Sequence, residues 1–319
     1  MQENRVLLTG GAGFIGSNLA DKLIEMGKEV VCIDNFSSGR MEYIDHLMSN
    51  PKFSLVRADL LTEDVSEVLK GCGCVFHLAA NPDVRLGAED TKVHLDQNVT
   101  VTHNVLEAMR SQDVGGIIFT STSTVYGEAS TIPTPEEYGP LEPISLYGSS
   151  KLACEALISA YCHTFGMNAV SFRFANVVGP RSTHGVTYDF VKKLKKDPRT
   201  LQILGKEPGT QKSYCHIEDC VSGMITGWES LEGAYDVFNI GSDDYIFVKQ
   251  IADIVSEEMG LEGVEYGWTG GVDDGRGWKG DVRTMLLSND KLKGKGWAPR
   301  FDSEGTIRDA VRYIISESG

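Results

Sequence analysis

The chain has 319 residues, enough for one large α/β domain or two modest ones, and its 41% hydrophobic and 24% charged content is ordinary for a globular protein with a real core. Its 30 basic and 45 acidic residues leave a formal charge of −15, which excludes a general nucleic-acid or anionic-membrane surface and requires any anionic ligand to meet a few focused cations. No apolar run approaches the ~20 residues of a membrane span, the polar start at Met1 to Val6 carries no secretory signal, and seven scattered cysteines read as reduced thiols, so a cytoplasmic protein is expected.

The closest cysteines, Cys72 and Cys74, lack the second half of a zinc site, and no metal is expected.

In chain order, "RVLLTG" (5–10), "EVVCID" (29–34), "FSLVRAD" (53–59), "CVFHLAA" (74–80), "GIIFTST" (116–122) and "NAVSFRF" (168–174) read as buried strands. Helical patterns fall between them at 14–26, 62–70, 92–112 and 147–165. This alternation predicts an α/β fold, a doubly wound parallel sheet of the Rossmann kind. The expected division is 1–180 for a dinucleotide-binding domain carrying the chemistry and 181–319 for a smaller C-terminal α/β substrate-binding lobe, with the chain free to cross between them. In the second half the patterns are less regular, "YGWTGGVDDGRGWKGDV" (266–282) reads as a long loop, and a helix over 303–317 closes the chain.

The first strand turns into the first helix through "TGGAGFIGS", with Gly10, Gly13 and Gly16 three apart. Gly10 permits a tight turn, Gly13 lets a pyrophosphate approach the helix N-terminus, and Gly16 lets the helix pack close to the sheet. Asp34 closes the second strand, where a carboxylate holds both ribose hydroxyls of adenosine and repels a 2′-phosphate, so NAD is expected over NADP. Asp59 ends the third strand, placed to meet the adenine amino group or to stand as a solvated carboxylate. Further on, "YGSSK" sets Tyr147 and Lys151 four apart on one helix face. A free phenol titrates near ~10, and a neighbouring ammonium favours the phenolate, as does an oxidised nicotinamide ring. The preceding strand ends in the hydroxyl cluster Ser121, Thr122, Ser123 and Thr124.

The glycine turn, "HLAA", "QNV", "STVYG", "YGSSK", "RFANVVGPR" and a "GD" after an arginine stand in an order that resembles the extended short-chain dehydrogenase/reductases, and within them the NAD-dependent nucleotide-sugar epimerase/dehydratase family, over almost the full length. The resemblance implies Tyr147 as catalytic base, Lys151 as ribose ligand that lowers the tyrosine pKa, and Thr122, four residues before Tyr126, as the catalytic Ser/Thr. It places Gly10, Gly13, Phe14, Ile15, Gly16, Asp34, Asn35, Asp59, Leu60, Leu78, Ala79, Ala80 and Asn98 against NAD, together with Tyr147 and Lys151. On the substrate side it implies Thr122, Ser123, Thr124, Asn176, Lys212, Arg276 and Asp281, where Lys212 stands in place of the family's usual arginine. Ser121, Ser123 and Thr124 are also read as caps for strand-end backbone groups.

The family's 4,6-dehydratases read T-D-E-V-Y here, and its decarboxylases keep a glutamate at the position of Thr124. Elimination of water needs an acid and a base besides the tyrosine, and neither Ser123 nor Thr124 supplies one. Sugar 4-epimerases, with S-A-T-V-Y, fit best. The implied reaction is 4-epimerisation of a UDP-sugar, UDP-glucose to UDP-galactose, through a transient 4-keto sugar. UDP-N-acetylhexosamine or UDP-uronate epimerases, a dehydratase and a non-catalytic nucleotide sensor are the alternatives. A homodimer through the 92–112 and 147–165 helices is also implied.

Overall fold

The computed structural model describes residues 4–317, so Met1 to Glu3 of the polar start lie outside the described residues. The chain opens with β1 (Arg5–Thr9), α1 (Phe14–Glu25), β2 (Glu29–Asp34), β3 (Phe53–Arg57) and β4 (Cys74–His77). A π-helical turn (Leu95–Thr100) then runs into α2 (Val101–Ser111), followed by β5 (Gly116–Thr122), α3 (Leu146–Phe165) and β6 (Asn168–Phe174). Next come β7 (Asn176–Val178), α4 (Val186–Lys196), β8 (Thr200–Ile203), β9 (Gln211–Lys212), β10 (Tyr214–His216) and α5 (Ile217–Glu229). The last stretch holds β11 (Tyr235–Ile240), β12 (Ile246–Phe247), α6 (Val248–Glu258), β13 (Glu265–Trp268), β14 (Thr284–Met285), α7 (Asp290–Lys293) and α8 (Ser303–Ser316).

These elements form two compact units, and the chain passes between them repeatedly. One unit takes Met1–Val125, Leu146–Arg173 and Val221–Phe238; the other takes Tyr126–Ser145, Phe174–Cys220 and Asn239–Gly319.

The first unit is built on a seven-stranded sheet of order β11-β6-β5-β4-β1-β2-β3, in which β3, β2, β1, β4 and β5 pair in parallel. Strands covered on both faces read as near-continuous apolar runs: every residue of β4 and β5 is buried, His77 and the Thr120, Ser121, Thr122 end being the polar ones. Leu7, Val31, Val75 and Ile117 of the sheet pack with Val105, Leu106 and Met109 of α2 and with Cys154 and Ile158 of α3 in one core. The strand order reverses between β1 and β4, the switch point beyond whose carboxyl ends such sheets bind ligands.

The second unit packs α4, α6 and α8 around Val191, Leu194, Ile251, Val255, Ile307 and Val311. Its small sheets carry β12-β9-β14, β10-β7 and β13-β8. Among the described residues no helix is long and apolar enough to cross a membrane.

Three expectations change. The 62–70 helix contracts to a 3-10 turn, Ser66–Leu69; Asp64 caps Ser66 and Gly71, at φ +77°, ends the turn. The start of the 92–112 helix is the π-helical turn, within which Asn98 is buried. The 266–282 loop gives its first residues to β13, which pairs in parallel with β8.

Candidate active site

At the end of β1, Gly10 takes φ +68°, and a Cβ there would lie 2.8 Å from the Ala79 nitrogen beyond β4. Only glycine lets these two strand ends approach so closely. Gly13 begins α1 in extended conformation, and no side chain caps the helix. That leaves first-turn N–H donors and the positive end of the helix dipole for an anion. Phe14 and Ile15 are half-buried in that turn, while Gly16 is buried.

Asp34 is buried, and burial pushes its carboxyl up from the ordinary range. One oxygen accepts from the Ala12 nitrogen (2.9 Å), the other from the Phe36 nitrogen (2.8 Å). Each oxygen retains a lone pair, as holding two ribose hydroxyls requires. A Cβ at Gly39 would come within 2.8 Å of this carboxylate, so the 35–40 loop folds down on Asp34 only with glycine there. Asn35 accepts from the Ser37 nitrogen (2.9 Å), and Asp59 accepts from the Leu61 nitrogen (2.9 Å). Leu60 is buried, and Leu78, Ala79 and Ala80 are half-buried past β4. Asn98 faces inward: it accepts from the Asn81 nitrogen (2.8 Å) and donates to the Ser150 hydroxyl (2.9 Å), bracing the 81 loop against α3. The turn, the open helix end and the bare side of Asp34 fit NAD.

Beside this cradle, α3 meets the end of β5. Tyr147 hydrogen-bonds to Thr122 through its hydroxyl, and Lys151, only 3% exposed, donates to the Thr120 carbonyl (2.8 Å). The Thr122 hydroxyl also meets that of Thr124 (3.2 Å) and accepts from the Thr124 nitrogen (3.2 Å). Ser123 is buried, and its hydroxyl has no partner among the described residues. Ser121 turns to a carboxylate instead, donating to Glu155. Burial pushes the Tyr147 phenol up to about 12, with the Thr122 bond pulling the other way. Burial is the leading influence on the phenol, and it also pulls the neighbouring Lys151 ammonium down to about 8. Tyr126, in the second unit, donates to the Asn239 side chain (2.8 Å) and is a structural tyrosine.

The anchor candidates of the second unit form one cluster. Lys212 donates to Asp281, a buried carboxylate that also accepts from the Gly277 nitrogen (3.3 Å). Arg276 donates to the Asp281 carbonyl (2.8 Å) and to the carboxylate of Glu128. Asn176, paired across β7–β10 with Tyr214, donates to the Ser213 carbonyl (3.3 Å), next to Lys212. The Trp278 ring lies under the Lys212 ammonium (5.2 Å).

Sequence reasoning missed Glu128, Trp278, His94, Glu155 and Arg173. His94 stands edge-on to the Tyr147 ring at 5.6 Å. Glu155 could have been found, since it continues the 147, 151 spacing by one more turn. Nothing in the sequence couples Glu128 to Arg276, 148 residues away.

The family model of NAD-dependent epimerases/dehydratases matches residues 6–241. A putative UDP-glucose 4-epimerase of Methanocaldococcus jannaschii is 32% identical over 318 residues, covering 97% of this chain and 98% of that protein. The crystal structure of a UDP-galactose 4-epimerase, 40% identical, matches with a TM-score of 0.87 over 98% of this chain and 99% of its own. A UDP-glucuronic acid 4-epimerase from Bacillus cereus, solved with UDP-glucuronic acid and NAD, matches with a TM-score of 0.88 at 27% identity over 98% and 99%. The matched span takes in the glycine turn, Asp34, the Tyr147 helix and Asn176 alike, and this chain belongs to the NAD-dependent epimerase/dehydratase family.

Proposed function

We propose that this protein interconverts UDP-glucose and UDP-galactose by inversion at C4. The observation that carries the reading is the hydroxyl-only end of β5: Thr122 bonds the Tyr147 phenol, and Ser123 and Thr124 follow where elimination of water needs carboxylates. The nearby carboxylate, Glu155, is closed off by Ser121 and Arg173. NAD supplies a reversible two-electron oxidant when bound. Tyr147 takes the proton of the sugar 4-hydroxyl as C4 is oxidised and returns it when the keto sugar is reduced on its other face. Thr122 hydrogen-bonds the same oxygen and holds its developing charge. Lys151 keeps a positive charge one helical turn from the phenol, which favours its ionised form. In the second unit, Arg276 and Lys212 supply the cations for the diphosphate, with Asn176 and Asp281 beside them. Lys212 meets phosphate as a point charge, without the bidentate fork of an arginine.

A uronate is the second reading, favoured by the Ser123 hydroxyl, which has no partner among the described residues and can donate to a C6 carboxylate. The Bacillus cereus relative binds such a sugar. Seven buried cysteines, none in a disulfide among the described residues, support a reducing compartment, the cytoplasm. Two copies joined through the α2 and α3 helices belong to the same reading, since Leu95 and Phe165 are exposed there; a monomer in sedimentation would remove that element. The deciding experiment incubates the purified protein, without added NAD, with UDP-glucose, UDP-N-acetylglucosamine and UDP-glucuronic acid, and follows the anomeric NMR signals. UDP-galactose is expected to appear fastest. Turnover of UDP-glucuronic acid alone would replace this reading by the second.

A further inference from the structure

Thr120, Ser121 and Thr122 end β5, and α3 meets all three at one-turn intervals. Tyr147 bonds the Thr122 hydroxyl, Lys151 the Thr120 carbonyl at 2.8 Å, and Glu155 the Ser121 hydroxyl. Residues four apart on a helix share a face, so the three contacts form a ladder. Its last rung is a buried carboxylate, 4% exposed, held by the equally buried Arg173 of β6. The Arg173 Nε lies 3.1 and 3.3 Å from the two carboxylate oxygens, and Nη2 2.7 Å from one of them.

A buried ion pair is a poor device for stability alone, because apolar residues of the same volume do as well. Its placement, one turn beyond Lys151, has another consequence. The Lys151 ammonium sits over the Phe119 ring (4.8 Å) and donates to a neutral carbonyl. The titratable and charged groups facing it are Tyr147, Cys154 and Glu155 on α3, His77 on β4, and His94 before the π-helical turn, with Arg173 of β6 behind Glu155. Burial holds both histidines neutral, His77 at about 3 and His94 below its ordinary value. Cys154 and then Glu155 offset the burial of the lysine, and Glu155 is the carboxylate of the two.

We infer that Glu155, clamped by Arg173 and Ser121, is a positioning residue for Tyr147 and Lys151: it sets the rotation of α3 that brings the phenol to Thr122, and its charge keeps Lys151 an ammonium. The inference rests on the proposed roles of Tyr147 and Lys151 but not on the identity of the sugar. Arg173 balances part of the carboxylate charge, so the effect at Lys151 is about half to one pH unit.

The test is Glu155→Gln, which keeps shape and removes charge. Full-length protein labelled with 13C-lysine, its Lys151 signal assigned by loss in Lys151→Arg, reports the lysine titration directly. The midpoint is expected to fall by about half to one pH unit, and Glu155→Asp to restore it in part. Epimerisation is expected to lose about tenfold in kcat at a KM within about twofold, with the alkaline limb displaced by the same amount as the lysine. An unmoved Lys151 midpoint, or a kcat loss equal at every pH, overturns the inference. Should Glu155→Gln not fold, Ser121→Ala leaves the ion pair in place: about a threefold to tenfold loss of kcat at unchanged KM supports the positioning role, and wild-type kcat refutes it. A lysine shift in a chain that turns over no UDP-sugar upholds Glu155 and refutes the proposed substrate instead.

Discussion

The glycines at 13 and 16 stand three residues apart in one turn, yet alanine at each should fail for a different reason. At Gly16 a Cβ would press on the Gly10 carbonyl and come 2.8 Å from the Gly11 Cα and 2.9 Å from the Gly10 carbon. These are backbone atoms, so α1 itself must lift from the turn. Overpacking of that kind costs about 1–3 kcal/mol, and at about 2–4 °C per kcal/mol for a chain of this size Tm falls by about 2–12 °C. At Gly13 a Cβ would meet only the Gly10 oxygen, at 3.2 Å, with φ −78° well within reach of alanine. The fold loses only the difference between glycine and alanine at a helix N-cap, below about 1 kcal/mol. The open side of that Cβ, however, is the side a pyrophosphate approaches, and NAD affinity should fall at least tenfold, about 1.4 kcal/mol.

Thermal unfolding of nucleotide-stripped protein, without and with NAD, separates the two. NAD at about 100 times its Kd stabilises the wild type by about 2.7 kcal/mol. Gly13→Ala should begin near the wild-type Tm and lose about half or more of the NAD increment, whereas Gly16→Ala should begin low. A full NAD increment in Gly13→Ala would remove the pyrophosphate from this turn. A wild-type Tm in Gly16→Ala would show that the turn yields where the geometry says it cannot.

Tyr147→Phe should reduce kcat by about 10²–10⁴ while leaving NAD affinity within about twofold; full activity in this variant would sink the proposed mechanism. Lys151 gives a stability prediction with a definite sign. Its folded pKa, about 8, lies below its unfolded value of ~10.4, so between those values the unfolded chain binds more protons and stability rises with pH. Tyr147 opposes this only above ~10, where the unfolded phenol ionises before the folded one at about 12. Buried cysteines, whose thiols burial pushes up, pull the stability of both proteins down in the same range, so urea unfolding should show the wild type gaining on Lys151→Met between about pH 8 and 10; parallel curves would place the lysine in water.

The parts legible in the sequence were those written in neighbouring residues. β2, β5 and β6 run the length expected of them because strands covered on both faces carry an apolar, β-branched or aromatic core of adjacent residues. Tyr147, Lys151 and Asp34 were found by spacing within a single element or turn. What was hidden depends on pairs far apart in the chain. Residues 126–145 join the second unit, where Tyr126 bonds Asn239 and Thr134 pairs with Leu286 and Leu287, and no local pattern announces such a crossing. β13 was lost in a glycine-rich stretch because its partner, β8, supplies the ladder. For a related reason spacing reveals the ammonium near Tyr147 but not the burial that leads the upward shift of its phenol.

Glu128 carries this reasoning into the second unit. A diphosphate there must meet cations that already have carboxylate partners, and the two pairs are not equivalent. Asp281 is almost wholly buried and ties Lys212 to the Gly277 turn, so its removal would disorganise the cluster. Glu128 is a third exposed, and accepts from Arg276 and, at 3.2 Å, from the Arg283 nitrogen. Arg276 has a second hold, the Asp281 carbonyl at 2.8 Å, and stays in place when Glu128 is neutral. Glu128→Gln therefore subtracts a competitor without releasing the arginine. A partly exposed pair of this kind is worth up to about 1 kcal/mol, so UDP should bind up to about fivefold tighter by calorimetry, with the gain shrinking as salt screens the charges. Arg276→Met should weaken the same binding. If Glu128→Gln instead weakens UDP, the carboxylate is holding Arg276 in its working position, and the carbonyl contact alone does not suffice.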